Sequence, residues 1–367
     1  MPDSLPEMQY RFLGRTGLKV SVISLGSWLT YGGHVGNETA LECMKVAYDA
    51  GVNFFDTAEV YSGGQSEIVL GEAIKKFGWK QNDLVISTKV GNTIAHPVPL
   101  PPLTPFQIYW GKANSANPDK PLNNNGLSRK HIIEGMNLSL QRLALPYVDV
   151  VYAHRPDRDT PMEEIVRGFN YLIDNGKAFY WGTSEWSASE IADAWRIADR
   201  LGLVGPVVEQ PQYNLLVRER VEKEYRWLYE AHGLGLTVFS PLKGGVLTGK
   251  YNDTAAPPAG SRLAESEDGY VKSLRKTVGD DTWQRQLDQV AALKPVAEEL
   301  GVSTAQLALA WILKNPNISS MITGASRPQQ VLDNIRALEV VEKLTDEVIE
   351  KIEVAVGNKP AVESRRF

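Results

Sequence analysis

The sequence predicts a (β/α)8 barrel, and three observations carry that expectation. Eight short apolar runs alternate with helical patterns along 367 residues. The runs are near-continuously apolar, as strands buried on both faces should be, rather than alternating with polar residues. Three successive runs close on Asp56, Lys89 and His154, which a barrel gathers on the rim where its strands end. The competing architecture, a doubly wound open sheet, requires a Gly-x-Gly-x-x-Gly turn after an early strand. The sequence contains none.

The elements follow in order. Tyr10–Val20 reads as a small hairpin ahead of the barrel. Val20–Leu25 is the first barrel strand, and a helix over Glu38–Ala50 stops at Gly51, a glycine suited to a helix C-terminus. Val52–Asp56 and Leu84–Lys89 are the second and third strands. Gly91–Leu127 then runs long and is rich in Pro, Asn and aromatics. A structureless loop of that length is usually functional or disordered. Loops after barrel strands open on the catalytic face, so it reads as a substrate and cofactor cover, with a plain insertion as the alternative. Val148–His154 is the fourth strand, and Thr160-Pro-Met-Glu163 spells a capping box with Pro at the first helical position. Ala178–Gly182, Val207–Gln210 and Leu236–Ser240 follow, with a second capping box at Ser187–Glu190. Gly244–Asp281, carrying Pro257-Pro258, is a second long cover. Ser303–Gln306 caps the next helix, and Ser320–Thr323 is the eighth strand.

Composition narrows the function classes. At 43% hydrophobic and 23% charged residues the chain has ordinary globular composition. A net charge of -5 gives no basic footprint for nucleic acid. The sequence shows no secretory signal and no apolar run of membrane-helix length. A cytoplasmic location and no membrane insertion are the expectation. The single cysteine, Cys43, falls inside a helical pattern and reads as a buried small hydrophobe. The five His residues are scattered, so no metal site is expected.

The rim residues suggest proton transfer. Asp56-Thr-Ala-Glu-Val-Tyr61 puts a phenol five residues beyond a carboxylate. Taken singly, an Asp, Lys or His at a strand end is usually a cap, a solvated charge or a satisfied core group. Their conjunction at corresponding strand ends is the informative feature. A free phenol has a pKa near 10, and a lysine ammonium beside it lowers that value. Lys89 can act in this way on Tyr61, Asp56 can hold Lys89, and His154 can share a hydrogen bond to a substrate oxygen. Such a phenol protonates a carbonyl while an organic cofactor delivers hydride. Gly324-Ala-Ser-Arg-Pro-Gln-Gln330 opens a helix ending near Ala337. Ser326 and Gln329 form a capping box there, and Arg327 beside the helix N-terminus suits an anionic phosphate. Gly244–Lys250 imitates a P-loop, but Tyr251 stands where Ser or Thr would bind magnesium, and nucleotide hydrolysis is not expected.

The chain resembles the aldo-keto reductases, closest to the potassium-channel β-subunit-like branch, from about Tyr10 to Val340. Residues 12–20, 53–61, 66–71, 126–132, 147–151 and 324–326 carry the resemblance. It implies a single barrel domain over residues 1–367 that reduces aldehydes or ketones with NADPH. It makes Asp56, Tyr61, Lys89 and His154 the catalytic tetrad. Trp28 would line the site, touching cofactor and substrate beside Tyr61 and His154, and Asp56 would also contact the cofactor. Ser184 and Gln210 would bind the carboxamide and Phe239 would stack on the nicotinamide. Ser240, Pro241, Leu242 and Gly244 would meet the pyrophosphate, and Arg262 would clasp the cofactor. Gly324 opens the segment in which Ser326, Arg327 and Gln330, with Lys250, would hold the 2'-phosphate, and Asn334 the adenine. Tyr109 and Trp110 are a candidate substrate wall, or surface packing. Two departures stand out: His154 where channel β-subunits carry Asn, and Glu185 where many members have Asn or Arg. The first favours an active enzyme over a regulatory, channel-binding subunit. The branch also implies a homo-oligomer, possible as a tetramer.

Overall fold

The computed structural model describes residues 5–28, 36–91, 123–252, 254, 256–266 and 269–361. Tyr109 and Trp110 lie outside these residues. The strands are β1 (Tyr10–Phe12), β2 (Lys19–Ser21), β3 (Ile23–Gly26), β4 (Phe54–Asp56), β5 (Val85–Val90), β6 (Val148–Ala153), β7 (Ala178–Ser184), β8 (Val208–Gln210), β9 (Gly235–Val238) and β10 (Ile318–Thr323). Strands β3 to β10 close into a parallel barrel, β10 pairing with both β9 and β3. The helices that matter for the site are α1 (Asn37–Asp49), α2 (Gln65–Phe77), α3 (Arg129–Leu143), α4 (Met162–Asp174), α5 (Ala188–Leu201), α6 (Arg226–His232), α7 (Arg262–Glu265), α8 (Gly269–Arg275), α9 (Asp281–Leu300), α10 (Thr304–Lys314) and α11 (Pro328–Ile335). Among the described residues no single helix is long and apolar enough to cross a membrane; α9 and α10 meet that measure only as a pair bent by 88°.

All eight expected barrel strands are present, with one division. The run Val20–Leu25 breaks at Val22. Its start belongs to the hairpin strand β2, which pairs antiparallel with β1, and its remainder is β3. The hairpin closes the lower end of the barrel. Leu13 and Val20 pack into the interior with Phe54, Val85, Val150, Tyr152 and Val208. Arg11 fastens it by donating to the carbonyls of Leu313, Asn315 and Ile318. The larger apolar cluster lies between the strands and the helices, with Cys43 buried in it on α1.

Side chains alternate across a strand, and that fixes what reaches the upper rim. Stepping by two, Phe54 leads to Asp56, Val85 to Ser87 and Lys89, Val150 to Tyr152 and His154, and Val208 to Gln210. Each series starts in the apolar interior and ends in a buried polar group.

Two of the local expectations are revised. The capping boxes at Ser187–Glu190 and Ser303–Gln306 both form. Thr160 does not cap α4, because its hydroxyl donates to Asp157 Oδ2 and Pro161 takes the capping position without a side-chain bond. Ser326 is bound by Gln330, not Gln329: Gln330 Oε1 accepts from the Ser326 backbone N–H and hydroxyl, while Gln329 turns to Asp333.

Gly71 explains part of the 66–71 motif. A Cβ there would stand 2.3 Å from the Leu143 carbonyl oxygen, so α2 and α3 meet backbone to backbone. Gly71→Ala is expected to cost about 1–3 kcal/mol in urea unfolding, the usual penalty of overpacking. A stabilised variant would show that the helices separate freely.

Candidate active site

Asp56, Tyr61, Lys89 and His154 converge on the upper rim. Lys89 Nζ donates to Asp56 Oδ2 at 2.6 Å and to the Thr57 carbonyl at 2.8 Å. The other carboxylate oxygen of Asp56 accepts from Ser87 Oγ at 2.7 Å and Gln210 Nε2 at 3.1 Å. Three donors on two strands, Ser87 and Lys89 of β5 and Gln210 of β8, therefore fix Asp56, and Asp56 fixes Lys89, whose side chain is only 1% exposed. Lys89 Nζ lies 4.8 Å from the Tyr61 ring centre. His154 meets the same ring edge-on at 5.7 Å. Trp28 packs against Ala58, Val60 and Tyr61.

The turn carrying Tyr61 is built tightly. The Thr57 N–H bonds to the Ser87 carbonyl and the Glu59 N–H to the Lys89 carbonyl, so the segment after β4 continues along β5. Tyr61–Gly64 then forms a 3-10 turn with Ser62, Gly63 and Gly64 at positive φ. Gly64 is pressed against Arg142, whose Cδ would lie 2.7 Å from a Cβ there. Arg142 in turn pairs with buried Glu67 at 2.5 Å, and Glu67 accepts from Thr88 beside Lys89. On the other side, Glu59 accepts from the Gly91 N–H and meets His131 Nε2 at 3.1 Å.

Burial dominates the electrostatics. It raises the Tyr61 pKa above 10, while Lys89, through its charge and a hydrogen bond, and Arg155 pull it down and Asp56 pushes it up. The expectation that Lys89 would leave the phenol below its ordinary value is thus corrected. Lys89 acts in the expected direction, but desolvation outweighs it. His154 falls well below 6.5, because it is buried and faces the charges of Arg155 and Lys89. Both groups are uncharged at neutral pH: a phenol that keeps its proton, and a neutral imidazole.

Ser184 and Gln210 belong to the same cluster. Ser184 Oγ donates to the Gln210 carbonyl at 2.8 Å and accepts from Arg155 at 3.0 Å. Glu185, at a positive φ, turns away: its carboxylate takes the Gln212 N–H and Arg220. Phe239 stands just past β9, across from the Arg155 guanidinium at 5.9 Å. The Ser240–Gly244 loop follows, with Ser240, Lys243 and Gly244 at positive φ and Pro241 and Leu242 between them. Lys250 lies beside Gly245. Arg262 opens α7. Gly324, Ser326 and Arg327 are exposed ahead of α11, Gln330 sits in its first turn, and Asn334 is buried near its end. Ser326 and Arg327, exposed at the N-terminus of α11, are donors of the kind that suit a phosphorylated ligand. Among the described residues no cluster of metal-ligating side chains occurs.

Sequence reasoning missed Arg155. Its signal was modest: a charge directly after His154, one step beyond a strand end.

The family model for the aldo/keto reductase family matches residues 22–356. This chain belongs to that family. It is 49% identical over 353 residues to a rice (Oryza sativa subsp. japonica) protein named as a probable voltage-gated potassium channel subunit beta, covering 96% of this chain and 98% of the rice protein. A protein of the same description from Arabidopsis thaliana matches at 49% over the same shares. A Schizosaccharomyces pombe protein, described as a putative subunit of this kind, is 49% identical over 98% of this chain and 95% of its own length. The chain is thus an aldo/keto reductase related to proteins named for channels, as the motifs implied.

Proposed function

We propose that this aldo/keto reductase reduces aldehydes or ketones to alcohols with NADPH, the whole chain acting as one domain. The reading rests on one observation above all, the buried chain Asp56–Lys89–Tyr61 with His154 edge-on to the Tyr61 ring. When bound, the cofactor supplies hydride to the carbonyl carbon. Tyr61 holds its proton at neutral pH because it is buried, and gives it to the carbonyl oxygen. Lys89 stabilises the phenolate that remains. Asp56 keeps Lys89 aimed, and neutral His154 offers the same oxygen a hydrogen bond. Ser184 and Gln210 would bind the carboxamide, Phe239 would stack on the nicotinamide, and Ser240–Gly244 would meet the pyrophosphate. Lys250, Ser326, Arg327 and Gln330 would hold the 2'-phosphate.

NADPH consumption with a simple aromatic aldehyde tests the reading, and absence of turnover with purified protein overturns it. Arg327→Ala tests the phosphate assignment. It is expected to weaken NADPH by about 10- to 100-fold, the scale of a hydrogen bond to a charged group, and to leave NADH nearly unchanged. Equal loss for both would show that Arg327 does not read the 2'-phosphate. A second reading, a channel-associated and oligomeric subunit, is favoured by the names of the relatives. In that case NADPH would bind without turnover.

A further inference from the structure

Among the described residues, no ion pair balances the charge that Arg155 brings to the site. Lys89 is paired with Asp56, and Tyr61 and His154 are neutral at neutral pH. An arginine stays protonated in proteins. The acids around it are committed elsewhere. Asp56 serves Lys89, Ser87 and Gln210. Glu185 serves Arg220 and the Gln212 N–H. Asp157 serves the Leu127 and Asp159 N–H groups and Thr160. Among the described residues Arg155 forms no ion pair.

The guanidinium is also held in place. Its Nη1 donates to the His154 carbonyl at 2.5 Å and to Ser184 Oγ at 3.0 Å. The Phe239 ring flanks it. One nitrogen is thereby anchored on two strand ends. Nη2 and Nε, the other edge of the fork, have no acceptor among the described residues. A fixed, half-buried fork with a free edge matches the two oxygens of a carboxylate. It lies next to His154, and its charge reaches Tyr61.

We propose that Arg155 is a specificity-determining residue that binds the carboxylate of the substrate, so that the favoured substrates are carbonyl compounds bearing a carboxylate. This rests on the reductase reading above. Nothing in the family membership or in the names of the relatives assigns this residue a role.

The test compares 2-, 3- and 4-carboxybenzaldehyde with their methyl esters, each with NADPH. The ester keeps the ring and the aldehyde and removes the charge. The wild type is expected to show kcat/KM about 10- to 100-fold higher for at least one acid than for its ester, as a hydrogen bond to a charged group allows. Arg155→Met should bring that ratio close to one, and Arg155→Lys should keep part of it, since the charge stays and the fork is lost. The ratio is taken within one variant, so a partly unfolded preparation does not alter it. No acid preference in the wild type, or a preference that survives Arg155→Met, overturns the assignment. In either case turnover of the esters leaves the reductase reading standing. No turnover of any acid or ester overturns both.

Discussion

Tyr61→Phe is expected to lower carbonyl reduction by about 10²- to 10⁴-fold, the contribution of a positioned general acid. The change removes one oxygen and keeps the ring. Trp28 still has its apolar partner, and His154 still meets the ring edge. Thermal unfolding should therefore move little, which separates a chemical loss from a structural one. The pH profile gives an independent check. Because burial raises the phenol above 10, Tyr61 stays protonated across the neutral range, and reduction should fall only on the alkaline side. Activity in the variant close to that of the wild type would remove Tyr61 from the role of proton donor.

Arg142→Ala is expected to produce the largest loss of stability. Arg142 and Glu67 form an ion pair whose side chains are 3% and 0% exposed. Removing Arg142 leaves the Glu67 carboxylate buried without its counter-charge, which costs about 3–5 kcal/mol. Glu67→Gln/Arg142→Met should recover much of this, since the remaining amide still accepts from Thr88 and no charge is stranded. Denaturation by urea measures both variants. A loss below about 1 kcal/mol for the single change would mean that water reaches Glu67 and solvates it as it does a surface charge. Arg142 also lies against Gly64, so the single variant should lose activity as the turn behind Tyr61 relaxes.

How much of this was legible in the sequence depends on how local the determinant is. The barrel strands were legible because each is a short apolar run, and the period of two carries Asp56, Lys89 and His154 to the rim. The capping boxes at Ser187 and Ser303 were legible because both partners lie within three residues. Thr160 was misread although its partner is equally local, because Asp157, which lies outside the capping-box pattern, takes its hydroxyl. The net direction of the Tyr61 shift depends on how completely the rim is buried, which no single motif encodes. Arg155 stayed hidden for a similar reason. Its partners Ser184 and Phe239 come from other strand ends and meet it only when the barrel closes.

That closure has a consequence for how the protein is made. β3 and β10 seal the ring, with Ser24 donating to the Met321 carbonyl 297 residues away. During synthesis at about 5–20 residues per second, the first strand waits for most of the chain before its second neighbour exists. Until then β3 offers an unpaired edge, and edges of that kind invite pairing with other chains. The hairpin that Arg11 later pins to Leu313, Asn315 and Ile318 waits as well. A nascent chain truncated before Ile318 should therefore be the form of this protein most prone to aggregate and most dependent on chaperones.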